Sequence, residues 1–250
     1  MNGTVNRLKN RYYPDGKMDG TAAFYDWIRE HIKASHIVLN VGAGPGSDRS
    51  IRSLRGEVQK VEGVDPDPVV LSNADLDGAM VSDCKTLPYP DNSFDLAWAD
   101  FVMEHVENPL ELLREVRRVL KPGSSFFFRT PNKWHYVGMI ARATPHWFHD
   151  LVANRVRGLS AEAHEPYQTF YRFNSRRDIT KVAYSADFAD VSLRFVEAEP
   201  SYLVFNPSAF LLGVAYERMV NRYESCAVMR CNIFGQLVSP QHNPSLQVVI

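Results

Sequence analysis

Between residues 36 and 131, short apolar runs alternate with segments whose apolar positions recur every three or four residues. Val38–Val41, Val61–Asp65, Met80–Val81, Phe94–Asp100 and Ser125–Arg129 read as five strands. Ahead of the fifth, Leu112, Leu113, Val116, Val119 and Leu120 mark one buried helical stripe. Asn108 is placed as its N-cap, Pro109 at the first helical position, and Glu111 where a capping box wants an acid. Arg117, Arg118 and Lys121 gather where the helix dipole favours cations, and Lys121-Pro122-Gly123 ends the element. Strands alternating with helices predict a mostly parallel sheet covered on both faces.

The pattern changes on either side. Residues 1–35 read as a basic lead-in, a turn-rich loop at Arg11–Gly16, and a helix capped by Thr21 that carries Phe24, Trp27, Ile28 and His31. Residues 133–177 break the alternation. They hold four of the eight histidines, a cluster of aromatics, and seven Lys/Arg against three Asp/Glu. They are read as short helices split at Pro145, inserted after the fifth strand, where an α/β sheet places its ligand crevice. The alternation then resumes with a helix over 178–188, a strand over 191–197, a helix over 207–220 and a last strand over 231–238. The expected organisation is an N-terminal helical cap (1–35), a binding core (36–132), a lid insertion (133–177) and the rest of the same α/β domain (178–250).

Composition narrows the class. With 250 residues, 45% apolar and 23% charged, the chain is an ordinary globular protein. A net charge of −1 argues against nucleic acid as a partner. Cys84, Cys226 and Cys231 cannot all pair and form no close metal-ligand motif, so no metal is expected. Met1–Asn10 lacks the apolar stretch of a secretory signal, and the uncharged run 200–216, with two prolines, is too short to span a membrane. The expected location is cytoplasmic. Docking at a membrane surface stays open, and oligomeric state is not readable.

The candidate chemistry begins at Val38-Leu39-Asn40-Val41-Gly42-Ala43-Gly44-Pro45-Gly46-Ser47. A strand runs into three glycines at alternate positions and then into a segment expected to be helical. This predicts a tight turn and a helix N-terminus suited to a nucleotide-like ligand. A dinucleotide fingerprint needs its third glycine one position later. Asp65, 19 residues past Gly46, is placed to accept ribose hydroxyls of any adenosine-containing ligand.

The glycine turn, Gly63-Val64-Asp65-Pro66, Ser82-Asp83-Cys84, the run Leu87–Leu96, Glu104-His105-Val106 and Leu120-Lys121-Pro122-Gly123-Ser124 occur in one order with short spacings. Together they resemble the class I S-adenosylmethionine-dependent methyltransferases, in the small-molecule branch similar to the ubiquinone/menaquinone-biosynthesis enzymes. The resemblance covers residues 36–131 well and implies a Rossmann-like, doubly wound, seven-stranded α/β sheet with its last strand antiparallel. It implies S-adenosylmethionine as cofactor, S-adenosylhomocysteine as product, and in-line transfer to a small-molecule acceptor, sugar-, quinone- or lipid-linked, with oxygen the leading acceptor atom and nitrogen and carbon open. Gly42, Ala43, Gly44 and Gly46 would cradle the methionine part. Asp65 would hold the ribose, Pro66 the adenine face, and Asp83 and Cys84 the adenine edge. Ala99 and Asp100 would line the sulfonium region. Asn40 stands where the family usually carries Asp or Glu, and Asp100 is a candidate to compensate.

His105 and His135 are candidate bases. Trp134, His135, His146, Trp147, His149, Tyr167, Tyr171 and Arg172 are candidate acceptor contacts. Two alternatives remain: an NAD(P)-dependent oxidoreductase, and a binding protein that kept the fold without turnover.

Overall fold

The computed structural model describes residues 3–14, 19–47, 49–83, 85–136, 139, 168–200 and 203–241. The chain forms two compact units, each assembled from three stretches. The first takes Met1–Ala23, Pro131–Gln168 and Phe195–Ile233; the second takes Phe24–Thr130, Thr169–Arg194 and Phe234–Ile250.

The second unit is built on a sheet of β1 (Ile37–Val41), β2 (Lys60–Asp65), β3 (Gly78–Val81), β4 (Phe94–Asp100), β5 (Leu120–Pro131), β6 (Asp190–Val196) and β7 (Asn232–Val238), with β6 and β7 running on into the first unit. The strand order is β3-β2-β1-β4-β5-β7-β6. The pairs β1–β2, β1–β4, β2–β3 and β4–β5 are parallel. β7 opposes β5: Gly123 N–H donates to Pro240 O, and Ser239 N–H donates to Ser124 O, so the pairing advances in opposite directions. This is the Rossmann-like, mostly parallel α/β sheet with an antiparallel last strand.

β5 shows why the centre is stable. Phe126, Phe127 and Phe128 are fully buried. Phe127 meets Trp27 of α2 (Gly20–Arg29) edge to face at 5.0 Å, and Phe128 meets Phe173 at 5.0 Å. Consecutive side chains of a strand point to opposite faces, so both faces are covered and an unbroken aromatic run is favoured. α3 (Pro109–Val119) packs on α4 (Arg176–Ser185), whose N-cap Ser175 accepts at Oγ from Asp178 N–H. In the first unit, α1 (Gly3–Tyr12) lies on α5 (Pro207–Arg222), joining Val5 and Tyr13 to Phe210 and Val214. Among the described residues, no helix is long and apolar enough to cross a membrane.

Four expectations are corrected. Residues 3–12 are a helix rather than a lead-in. Asp19, not Thr21, caps α2, its Oδ1 accepting from the N–H groups of Thr21 and Ala22. Asn108 makes no side-chain cap bond, so α3 starts without a capping box. No α-helix follows the glycine turn among the described residues; Ser50–Arg52 form a single 3-10 turn.

Candidate functional site

Beyond β1, the chain turns through Gly42, Gly44 and Gly46 with φ of 72°, 56° and 92°, values that favour glycine. A Cβ on Gly42 would run into Val102, and one on Gly46 would come within 2.6 Å of Asn73 Oδ1. A Cβ on Gly44 would meet only open space. The turn is held by side chains from β2 onward. Gly44 N–H donates to Asp65 Oδ2 at 2.9 Å, and Ser47 N–H to Asp75 Oδ2 at 3.0 Å. Asn73 Nδ2 donates to the carbonyls of Ala43 and Gly44, both at 3.1 Å.

This changes the chemistry read from the glycines. A pyrophosphate site needs free loop N–H groups and a helix N-terminus. Among the described residues no α-helix follows the turn, and carboxylates already hold two of the loop N–H groups. The arrangement disfavours a dinucleotide and suits a ligand that brings less negative charge.

Beside the turn lies an open recess with about 470 Å³ of empty space, solvent at its mouth included. Of the expected cofactor residues, Asn40, Gly42, Ala43, Gly46 and Asp100 line it. Gly44 belongs to the same turn without lining it. Asp65 ends β2, nearly buried, with its second oxygen accepting from Asp67 N–H at 2.8 Å. Pro66 and Asp83 are exposed, Ala99 is buried in β4, and Cys84 lies outside the described residues.

Tyr25 lines the recess as well, as do Ser47, Arg52, Asn73, Asp75 and Trp98, which the sequence does not single out as ligand contacts. Arg52 Nε is a buried donor without a hydrogen-bond partner, while the Trp98 indole N–H is turned to the Tyr25 hydroxyl. A buried donor left unpaired is costly, and one on the wall of a recess calls for an acceptor from a ligand. Burial, helped by Asp100, pushes the Tyr25 hydroxyl above its ordinary range, so it stays protonated. Asp100 is held by Arg129 at 2.6 and 2.8 Å, a bidentate pair buried on both sides, with Arg52 Nη1 at 4.0 Å.

The turn Met103–His105 follows β4. His105 is half-buried, while Glu104 is 4% exposed and accepts from Thr130 Oγ1, which in turn accepts from Asn174 Nδ2. Burial raises the Glu104 carboxyl to about 7. Tyr171 takes the left-handed conformation at φ 52°, and exposed Arg172 donates to Glu107 O.

Trp134 and His135 belong to the first unit. Trp134 is half exposed, whereas His135 is buried and its imidazole is lowered to about 4 by desolvation. His135 lies near Glu197, whose carboxyl burial raises to about 7. His146, Trp147, His149 and Tyr167 lie outside the described residues.

A family model described as "Methyltransferase domain" matches residues 39–128. The 27-O-demethylrifamycin SV methyltransferase of Amycolatopsis mediterranei is 30% identical over 102 residues, 37% of each chain. The sterol 4-C-methyltransferase strm-1 of Caenorhabditis elegans is 32% identical over 66 residues, 23% of this chain and 20% of that one. The chain thus spans well under half the length of these curated relatives. Among solved structures, one from a complex of the Haloferax volcanii Trm112 methyltransferase activator and a methyltransferase superposes with TM-score 0.58 at 19% identity, covering 96% of this chain and 95% of that one. Phosphoethanolamine N-methyltransferase 2 of Haemonchus contortus, solved with S-adenosyl-L-methionine, gives 0.56 at 16% identity, covering 94% and 56%. By their names, these relatives methylate oxygen, carbon and nitrogen.

Proposed function

We propose that the protein is a class I S-adenosylmethionine-dependent methyltransferase that binds S-adenosylmethionine in the glycine-turn recess and methylates a small-molecule acceptor, a reading supported by the methyltransferase-domain match over residues 39–128. The observation that carries this reading is the unpartnered buried donor Arg52 Nε on a recess bounded by glycines. It suits the carboxylate of the cofactor's methionine part. Gly42 and Ala43 leave room for its chain, and Asp75 offers a carboxylate oxygen to an ammonium or a hydroxyl. The charge pattern of the turn supports this cofactor over NAD(P).

The bound sulfonium supplies an already activated methyl group. The protein then has to align the acceptor and exclude water, and alignment alone is worth up to about 7–11 kcal/mol in favourable geometry. We take the acceptor atom to be oxygen, a reading supported by the rifamycin relative and by histidines suited to remove a hydroxyl proton. His105 and His135 are the candidate bases. Loss of the working base should lower kcat by roughly 10²–10⁴-fold with little change in cofactor affinity.

Calorimetric titration with S-adenosylhomocysteine tests the cofactor reading. We expect saturable binding that Arg52→Ala weakens. Absence of heat at millimolar ligand with the folded protein overturns it.

A further inference from the structure

Three segments of the first unit converge at one point: the loop after β5, the chain leaving β6, and the start of β7. Backbone and side-chain bonds pin them. Asn132 N–H donates to Cys231 O at 2.7 Å, and Asn132 Nδ2 donates to Val228 O and Arg230 O at 2.7 and 2.8 Å. Cys231 N–H donates to Glu197 Oε2 at 2.7 Å.

At this point the ligand atoms of His135, Glu197 and Cys231 all lie within 4.8 Å of one another. His135 is 3% exposed, its Nε2 has no hydrogen-bond partner, and Glu197 Oε2 is 3.6 Å away. That separation is too long for a hydrogen bond. The rings of Tyr136 and Tyr216 pack on the imidazole with centroids at 4.1 and 5.7 Å and fix its orientation. The Tyr216 hydroxyl is engaged elsewhere, donating to Met229 O.

We propose that His135 Nε2, the Glu197 carboxylate and Cys231 Sγ form a binding site for a divalent transition cation of the zinc type, with water as the fourth ligand. In a tetrahedral site with bonds of about 2.0–2.3 Å, ligand atoms stand about 3.3–3.8 Å apart. The observed cluster reaches that by shifts of roughly 1 Å or less. A thiolate and a carboxylate balance the two positive charges, so the loaded site carries no net charge to bury. Mixed nitrogen, sulfur and oxygen donors select zinc or cobalt over magnesium and calcium, which take oxygen ligands. Cys231 is only half-buried, which leaves a path for entry. The site shares no residue with the recess, and a metal on His135 Nε2 would leave His105 as the candidate base.

Cobalt titration of the metal-stripped full chain, followed by absorption, tests it. We expect one equivalent to bind with a near-ultraviolet thiolate-to-cobalt charge-transfer band, and zinc to displace it. Cys231→Ser should abolish the band. His135→Ala and Glu197→Gln should weaken cobalt binding by at least about tenfold. Cys226→Ser should leave the band intact. Absence of the band in the unmodified chain, which needs no variant to fold, overturns the proposal. So does a band that survives Cys231→Ser or is lost in Cys226→Ser.

Discussion

Glu104 accepts from Thr130 Oγ1 and from its own backbone N–H in a buried setting, and burial raises its carboxyl to about 7. Its folded state holds a proton that the unfolded chain, at its ordinary value of 4.5, gives up sooner. The stabilisation is therefore complete below about pH 4.5 and lost as pH rises through about 7, on the order of 2–3 kcal/mol. Glu104→Gln keeps an acceptor for Thr130 and removes the titration. Its urea midpoint should match the parent at pH 5 and exceed it at pH 8; an unchanged difference between the two pH values would refute the assignment. Gly42→Ala forces a methyl toward Val102 at positive φ and should cost about 1–3 kcal/mol while abolishing S-adenosylhomocysteine binding, as thermal melts with and without ligand will show. Such glycines are legible in a sequence because their type answers a backbone requirement. Arg52 is not: its significance is an unmet hydrogen bond, which exists only once burial and neighbours are known. The convergence of His135, Glu197 and Cys231 was hidden in the same way, since 62 and 34 residues separate them in turn.

At the scale of elements, strands were read better than helices. β4 spans the expected Phe94–Asp100, because an apolar run flanked by turn residues marks its own ends. The helix expected after the glycine turn failed for want of apolar positions. Between Ser47 and Gly56 only Ile51 and Leu54 are large and apolar, enough for one 3-10 turn and too few to hold an amphipathic helix. α1 carried the right spacing in Val5, Leu8 and Tyr12, masked by basic neighbours, and its partner face on α5 was too distant in sequence to see. The two Asn-Pro starts make a sharp comparison. Asn206 Oδ1 accepts from the N–H groups of Ser208 and Ala209, so Asn206→Ala should lower stability by about 1 kcal/mol. Asn108 makes no such bond, and Asn108→Ala should be near neutral by the same denaturation measurement.

For the molecule as a whole, the family match at 39–128 falls inside the second unit, yet that unit also takes residues from 169–194 and 234–250. Phe173 and Phe234 come from those later stretches and cover Phe128 and Phe24. A fragment limited to residues 24–130 should thus expose β5 and aggregate on gel filtration, where the full chain elutes as a discrete species. The alternation of strands and helices revealed the sheet, but not that the chain builds two units from interleaved stretches.

The bidentate hold of Arg129 on Asp100 has a kinetic consequence. Around the recess, the carboxylates of Asp75 and Asp100 are matched by the guanidiniums of Arg52 and Arg129, and Asn40 adds no charge. Arg129 thus already engages the carboxylate that the sequence offers as a stand-in for an acid at position 40. A site so balanced has little electrostatic reason to prefer a cationic sulfonium over the neutral thioether left after transfer. Donor and spent donor should show similar dissociation constants. Turnover in a closed vessel should stall as the thioether accumulates, and an added hydrolase that destroys it should restore the initial rate.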